Sequence, residues 1–499
     1  MKQIKKITGV LLILAMIFTM SATAFAANTN AHTITITNDK AGHAYTAYQV
    51  FAGDYHDGKL SNITWGSGVN GNRLLAALKA PETSLYKDCN TAEDVADVLK
   101  GFGDNSQQLD EFARIVGGYL SDAAGTSTVA EGKYTINVTG DGYYLVKDSG
   151  AIAENDAATK YILKVVENVT VEAKSEVPSI DKFIVGADDI TGKGTAQDVG
   201  SVVDFKLTSK VPAMDGYNTY TYIVNDTMSS GLTTVDKDND GKIDVAVTID
   251  GTGYTGFTVD QNGQSFTITF NNFIDQKTNA GKAIVITYSA TLNENALNTD
   301  KETNTVYLQY SSDPYDSSSV KNTPEITVYV YDFDIVVDKY ADGNEETKLA
   351  GAEFVLYKTV EGAKKYYKLD NDTVTWVDNE ADATVVTTDQ NGAARLQGID
   401  SGTYYLHETK APAGYNLLKT DVEITITATY GKDGQITSSS ATSTNNGQYL
   451  QTQKIENKSG TLLPSTGGIG TTIFYIAGAV LVIAAGVLLV TRRRMNKNK

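Results

Sequence analysis

The chain has 499 residues, 60 of them acidic and 42 basic, giving a formal net charge of −18, with four histidines and one cysteine. A surface this acidic repels nucleic acid and anionic lipid, a lone cysteine rules out an intramolecular disulfide, and without a Cys or His cluster no zinc site is expected. The length predicts about three domains.

Lys2, Lys5 and Lys6 precede an apolar run from Ile7 to Met20, and Ala24-Phe25-Ala26 supplies a small-x-small cleavage site. Residues 1–26 therefore read as a secretory signal peptide. From there the chain reads as short alternating strands rich in Thr, Val and Tyr, such as Thr33-Ile34-Thr35-Ile36-Thr37, Ser265-Phe266-Thr267-Ile268-Thr269-Phe270 and Val422-Glu423-Ile424-Thr425-Ile426-Thr427. A period of two with these residue types suits half-buried strands. Turn signals recur between them: Asp57-Gly58, Asp141-Gly142, Asn262-Gly263, Asn391-Gly392 and Asp433-Gly434. The pattern predicts a mainly all-β chain of three tandem immunoglobulin-like β-sandwiches.

One region departs from it. Between Asn72 and Ala123, residues Leu109, Phe112, Ala113, Val116 and Leu120 share a helical face after a polar start at Asn105-Ser106, and Thr91-Ala92-Glu93-Asp94 is a second helix start. The first domain, 27–174, is thus expected to be a sandwich with a helical insertion. Cys89 inside it reads as a buried or half-buried small residue, with a dimerising thiol as the alternative.

Boundaries are expected at Lys174 to Pro178 and around Thr323 to Asp332, where Pro178 and Pro324 punctuate the strand pattern. These give a middle domain, 175–324, and a C-terminal domain, 325–460. The two share a layout. Each opens on an apolar strand ending in Asp-Lys (Ile180-Asp181-Lys182; Val336-Val337-Asp338-Lys339), and each ends on a strand holding an asparagine, Asn304 or Asn457. In the middle domain Asp236, Asp238, Asp240, Lys242 and Asp244 follow the D-x-D-x-D-G-x-x-D pattern, whose alternating oxygens around a Gly turn can surround Ca²⁺, Lys242 through its carbonyl. The bidentate acid of a full EF-hand is absent, since Val247 occupies its place. An acidic hairpin turn that binds nothing is the alternative. No other cofactor is called for.

Residues 461–499 close the chain. Leu463-Pro464-Ser465-Thr466-Gly467 is followed by an apolar run from Ile473 to Val490 and then by Arg492-Arg493-Arg494. The run is long enough to cross a bilayer, and the positive charge beyond it holds that end in the cytoplasm. Pentapeptide, span and basic tail in this order resemble the cell-wall sorting signal of Gram-positive surface proteins. The resemblance implies cleavage by a sortase between Thr466 and Gly467 and transfer of the Thr carbonyl to an amine, with the span a transient tether. The two ends hold eight basic and no acidic residues, so the mature chain carries 34 basic against 60 acidic.

A second resemblance lies in the C-terminal domain. Leu349-Ala350-Gly351-Ala352-Glu353-Phe354 and Tyr404-Tyr405-Leu406-His407-Glu408-Thr409-Lys410-Ala411-Pro412-Ala413-Gly414-Tyr415 look like the collagen-adhesin B-type repeat, with Glu408 in an E-box. Together with Val224-Asn225-Asp226-Thr227 and Gly231-Leu232, they make the chain similar to the backbone pilins of sortase-assembled pili. That family implies internal amides between a first-strand Lys and a last-strand Asn, formed without an external enzyme. Burial would free the amine as a nucleophile, and a buried acid would protonate the carboxamide and help ammonia leave. The resemblance assigns Lys339, Asn457 and Glu408 to one bond and Lys182, Asn304 and Asp226 to another. Ordinary surface residues in strands are the bland alternative.

The family also implies an exposed polymerising lysine at the junction of the first two domains. Val169-Thr170-Val171-Glu172-Ala173-Lys174 occupies that place but departs from the usual Tyr-Pro-Lys ending, so Lys160, Lys164 and Lys182 stay as rivals to Lys174. The implied product is a pilus shaft joined from Thr466 of one subunit to Lys174 of the next. Tension would then bypass residues 28–173, and the two staples would leave only linkers under load. Implied partners are further copies of the chain, pilin-specific and housekeeping sortases, minor tip and base pilins, and peptidoglycan. A wall-anchored monomeric adhesin or a pilus base subunit is the rival reading. No nucleophile–His–acid cluster or catalytic carboxylate pair marks a hydrolase.

Overall fold

The computed structural model describes residues 30–495 apart from 39–41, 58, 81–83, 103–105, 151–159, 173–176, 189–190, 315, 445–447 and 461–468. The expected signal peptide, Lys174 and the Leu463–Gly467 motif lie outside the described residues.

In the first domain Ala31–Thr37 alternates between buried and half-buried positions, so Ile34 and Ile36 point into the core. This strand pairs antiparallel with Lys133–Thr139 and parallel with Val169–Glu172, so the domain's first and last strands lie side by side. A second sheet runs in the order Lys59–Trp65, Tyr45–His56, Gly142–Asp148, Lys160–Val165. Three helices, Gly71–Lys79, Ala92–Leu99 and Gln107–Gly117, interrupt the strands. Thr91 and Asp94 close a reciprocal capping box on the second, and Ser106 Oγ accepts the Leu109 N–H at the start of the third. Leu74, Val95, Leu99, Phe112, Val116 and buried Cys89 form the helical core against Phe51 and Tyr143. Two buried His–Asp pairs hold the strands, His43 Nδ1 to Asp148 at 2.6 Å and His32 Nε2 to Asp141 at 2.6 Å.

The middle domain is a sandwich of two sheets. One runs Ile180–Ile184, Val202–Lys210, Ala283–Leu292, Ala246–Ile249, Thr252–Tyr254. The other runs Gly194–Ala196, Ile326–Tyr331, Glu302–Ser311, Tyr222–Met228, Ser265–Phe270, Phe257–Asn262. This corrects the expected boundary at 324. Ile326–Tyr331 is hydrogen-bonded within the middle domain, antiparallel to Glu302–Ser311 and parallel to Gly194–Ala196. Pro324 stands before a strand, where its missing N–H costs nothing, rather than between domains. Asn304 accordingly sits one long strand before the end of its domain.

The C-terminal domain begins at Phe333–Ala341, which pairs in parallel with Tyr449–Asn457 and antiparallel with Ala393–Ile399. The facing sheet runs Thr373–Val377, Ala363–Asp370, Glu353–Val360, Gly402–Lys410, Val422–Ile426. The cores of the middle and C-terminal domains are continuous. At their junction half-buried Asp198 accepts from the Asp400 N–H at 2.9 Å, Trp376 Nε1 at 2.7 Å and Lys358 Nζ at 3.3 Å. A lighter contact joins the first two domains, where Lys277 Nζ meets Asp110 at 2.6 Å. The helix Ile469–Met495 contains an apolar stretch from Ile473 with mean hydropathy 2.8 that is long enough to span a membrane.

Candidate functional site

The strand period explains how a lysine comes to be inside. In Ile180–Ile184 the inward positions are Ile180, Lys182 and Ile184, so Lys182 fills a place the alternation reserves for an apolar residue. Asp226, Asn304 and Tyr288 are likewise inward on Tyr222–Met228, Glu302–Ser311 and Ala283–Leu292. Lys182 and Asn304 are fully buried and Asp226 is 1% exposed. Lys182 Nζ donates to Asn304 Oδ1 and, at 2.7 Å, to Asp226 Oδ2. The rings of Phe205 and Tyr288 flank the amine, 5.6 and 5.5 Å from it to their centroids. Lys182 belongs to one sheet and Asn304 to the other, so a bond between them would cross the sandwich.

Burial pulls the Lys182 amine down to about 8, against the opposing pull of Asp226, and pushes the Asp226 carboxyl up. An amine at about 8 is neutral about 200 times more often at pH 7 than an ordinary lysine. Asp226 Oδ1 is buried with no hydrogen-bond partner among the described residues, and an ionised oxygen left so is costly, which favours the protonated acid. A neutral amine, a carboxamide and a carboxylic acid in contact are the reactants and acid that amide formation requires.

The C-terminal domain repeats the set with a different geometry. Val337, Lys339 and Ala341 point inward from Phe333–Ala341, and Glu408 does so from the facing sheet. Lys339 is fully buried, Asn457 is 1% exposed and Glu408 2% exposed. Here the lysine and asparagine occupy neighbouring parallel strands, Ala341 being level with Asn457. Lys339 Nζ lies 3.6 Å from Glu408 Oε1, and Asn457 Nδ2 donates to Glu408 Oε2 at 3.0 Å. The Leu418 N–H also donates to Glu408 Oε2, at 2.8 Å, which fixes the acid. Burial pulls the Lys339 amine down to about 8. Gly392, at φ +71°, lets the adjacent turn approach: a Cβ there would stand 2.3 Å from the Lys339 carbonyl oxygen.

The structure thus brings together both sequence-selected sets. Sequence reasoning missed Tyr288, which contacts Asp226 and Asn304, and Glu302, a buried carboxylate. Glu302 accepts from the Gly231 N–H at 2.8 Å, from Thr299 Oγ1 at 2.6 Å and from Ser229 Oγ. The signal that marks them is the one that marks Lys182, a polar group on the inward phase of a strand.

In the acidic turn the carboxylates of Asp236, Asp238 and Asp240 converge, with one oxygen from each within 4.8 Å of the others. Asp244 stands outside that group and accepts the Lys237 N–H at 2.5 Å. Asp236 accepts the Gly241 N–H and Asp240 the Lys242 N–H, so the turn is also internally bonded. Three hard oxygen donors suit Ca²⁺.

Comparison with known proteins agrees with this architecture. Residues 334–440 match a family model described as a prealbumin-like fold domain, and residues 455–497 match the LPXTG cell wall anchor motif. The trypsin-resistant surface T6 protein of Streptococcus pyogenes serotype M6 is 25% identical, over 92% of this chain and 94% of its own. The fimbrial subunit type 1 of Actinomyces viscosus is 28% identical over 31% of this chain and 30% of its own. Among solved structures, the three-domain T6 backbone pilin of serotype M6 S. pyogenes aligns over 87% of this chain and 99% of its own, with TM-score 0.55 and 21% identity. The full-length major pilin SpaD of Corynebacterium diphtheriae aligns over 87% and 98%, with TM-score 0.51 and 15% identity. The chain is a cell-wall-anchored surface protein with the modular fold of the Gram-positive backbone pilins.

Proposed function

We propose that this chain is the shaft subunit of a covalently polymerised surface pilus, with two internal Lys–Asn amides. The observation that carries the reading is the pair of buried lysine–asparagine–acid sets, one in each of the two domains that lie between the first-domain junction and the anchor. In each, the neutral amine attacks the carboxamide carbon, the acid passes a proton to the departing nitrogen and regains one from the new amide, and ammonia leaves. This chemistry happens once per site, so the chain is a product of its own reaction rather than a turnover enzyme.

Polymerisation joins Thr466 of one subunit to Lys174 of the next through a pilin-specific sortase, and a housekeeping sortase transfers the finished polymer to peptidoglycan. Minor tip and base pilins complete the assembly. Forced unfolding is governed by its barrier, and each covalent bypass takes the chain between its lysine and its asparagine off the load path. The first domain is off that path, and its cohesion rests instead on packing and on the two buried His–Asp pairs.

The test is a denaturing gel of wall extracts. A ladder of masses is expected from the wild type and a single band from Lys174→Ala. A single band from the wild type would favour a monomeric adhesin or a base subunit. A ladder that survives Lys174→Ala but not Lys160→Ala or Lys164→Ala would move the junction.

The acidic turn is proposed as a Ca²⁺ site held by Asp236, Asp238 and Asp240, with the Lys242 carbonyl and Asp244 completing it. Calorimetric titration of the mature chain with CaCl₂ should give heat that Asp238→Ala abolishes. No heat from the wild type would remove calcium from the account.

A further inference from the structure

We propose that Tyr288 is a catalytic proton carrier for the middle-domain amide, relaying the proton of Asp226 to the departing nitrogen of Asn304. This rests on the cross-link proposed above and assigns a role to a residue outside its lysine–asparagine–acid set.

The two sites differ in one respect that calls for it. In the C-terminal domain the acid touches the leaving group directly, Asn457 Nδ2 lying 3.0 Å from Glu408 Oε2. Asp226 is one methylene shorter. Its Oδ2 receives the Lys182 amine at 2.7 Å, while the carboxamide nitrogen of Asn304 donates not to it but to the Tyr288 hydroxyl, at 3.1 Å. That hydroxyl in turn donates to Asp226 Oδ2 at 2.6 Å. The phenol therefore spans the gap between acid and leaving group.

The position is built for it. Tyr288 is inward on Ala283–Leu292 and 4% exposed, and it is held by a stacked contact with Phe205 and an edge contact with Phe266. Burial and the neighbouring Asp226 push its hydroxyl well above the ordinary range. It therefore stays neutral, able to accept and donate at once, and never rests as a phenolate. A purely packing role would not need the oxygen, since Phe fills the same space.

The step balances. The neutral Lys182 Nζ forms a bond to Asn304 Cγ as the Cγ–Oδ1 π pair moves onto Oδ1. At the tetrahedral carbon the Nδ2 lone pair is freed, so with the Asp226 proton on Oδ2 both hydrogen bonds reverse: the Tyr288 hydroxyl accepts from Asp226 and turns its own hydrogen toward Nδ2. The Asp226 proton then moves to the Tyr288 oxygen as the tyrosine's own proton moves to Nδ2, the oxyanion re-forms the carbonyl, and the Cγ–Nδ2 bond breaks to release ammonia. The new amide nitrogen then gives its surplus proton to Asp226, restoring the acid. Tyr288 ends as it began.

The experiment follows ammonia loss by intact mass in freshly synthesised mature chain, comparing wild type, Tyr288→Phe and Asp226→Ala. A time course with 3-fluorotyrosine at position 288 is added, because it preserves packing while making the hydroxyl more acidic. Tyr288→Phe should slow the middle-domain bond by about 100-fold or more, the scale of general acid–base catalysis, and leave the C-terminal bond unaffected. The fluorinated ring should alter the rate and its pH profile. Wild-type rates in both substituted proteins would overturn the relay while leaving the cross-link intact. If Tyr288→Phe is slow but the fluorinated chain matches wild type in rate and pH profile, the residue is structural and the relay is again overturned. No middle-domain bond in the wild type would instead sink the cross-link itself.

Discussion

Replacing Glu408 with glutamine tests the C-terminal bond with the least disturbance, because the amide keeps the shape and removes the acid. The bond would close a loop of about 118 residues between Lys339 and Asn457, and the chain-entropy relation used for disulfides gives about 5 kcal/mol for a loop of that length. Unfolding entropy is about 2.1 cal/mol/K per residue, so the roughly 125 residues from Phe333 to Asn457 carry about 0.26 kcal/mol/K. The transition of this domain should therefore fall by about 19 °C. Lys339, left buried and unconsumed, can only enlarge the fall. Intact mass of the secreted chain should first show one ammonia more than in the wild type, and scanning calorimetry then reads the shift. A Glu408→Gln chain that has lost both ammonia molecules, or one that retains the extra ammonia but melts within a few degrees of wild type, would refute the reasoning.

Two further outcomes follow from the geometry. In Asn457→Ala the Lys339 amine stays free at about 8 in the folded domain and near 10.4 in the unfolded chain. Between those values the unfolded chain binds more protons, so stability relative to the linked wild type should rise with pH from about 8 to about 10.4. Denaturant melts at several pH values check this, and a flat or falling difference would contradict it. Asp198→Ala removes the acceptor for the Asp400 N–H, Trp376 and Lys358, and should weaken the junction of the middle and C-terminal domains by about 2–4 kcal/mol. Their denaturant transitions should separate; a single unshifted transition would show that the junction does not depend on Asp198.

Much of this was legible in the chain itself. Both lysines stand within an apolar strand, and Glu408 sits in a recognisable segment. The helix starts at Thr91 and Ser106 carry their own caps. What stayed hidden was topological. Tyr288 is 62 residues from Asp226 and 16 from Asn304, and nothing but its inward phase distinguishes it among many strand tyrosines. Pro324 reads as a break because a missing N–H looks alike at a strand entry and at a domain end. Nor does local pattern reveal that Lys182 would reach across two sheets whereas Lys339 would reach along one. That distinction depends on which strands become neighbours.

The placement of Asn304 has a mechanical consequence. Asn304 pairs opposite Val328 on the returning strand Ile326–Tyr331. With the Lys182–Asn304 bond formed, pull entering at Lys182 jumps to Asn304 and must still run through residues 304–331 before it reaches Phe333. Those two strands are antiparallel and would be peeled apart pair by pair. In the C-terminal domain only Phe333 to Lys339 would remain in line. Released, residues 304–328 could pay out about 80 Å of chain, so each subunit would hold one yielding hairpin between inextensible segments. The filament would then be stiff under ordinary drag and able to lengthen under a sudden jerk without breaking a covalent bond.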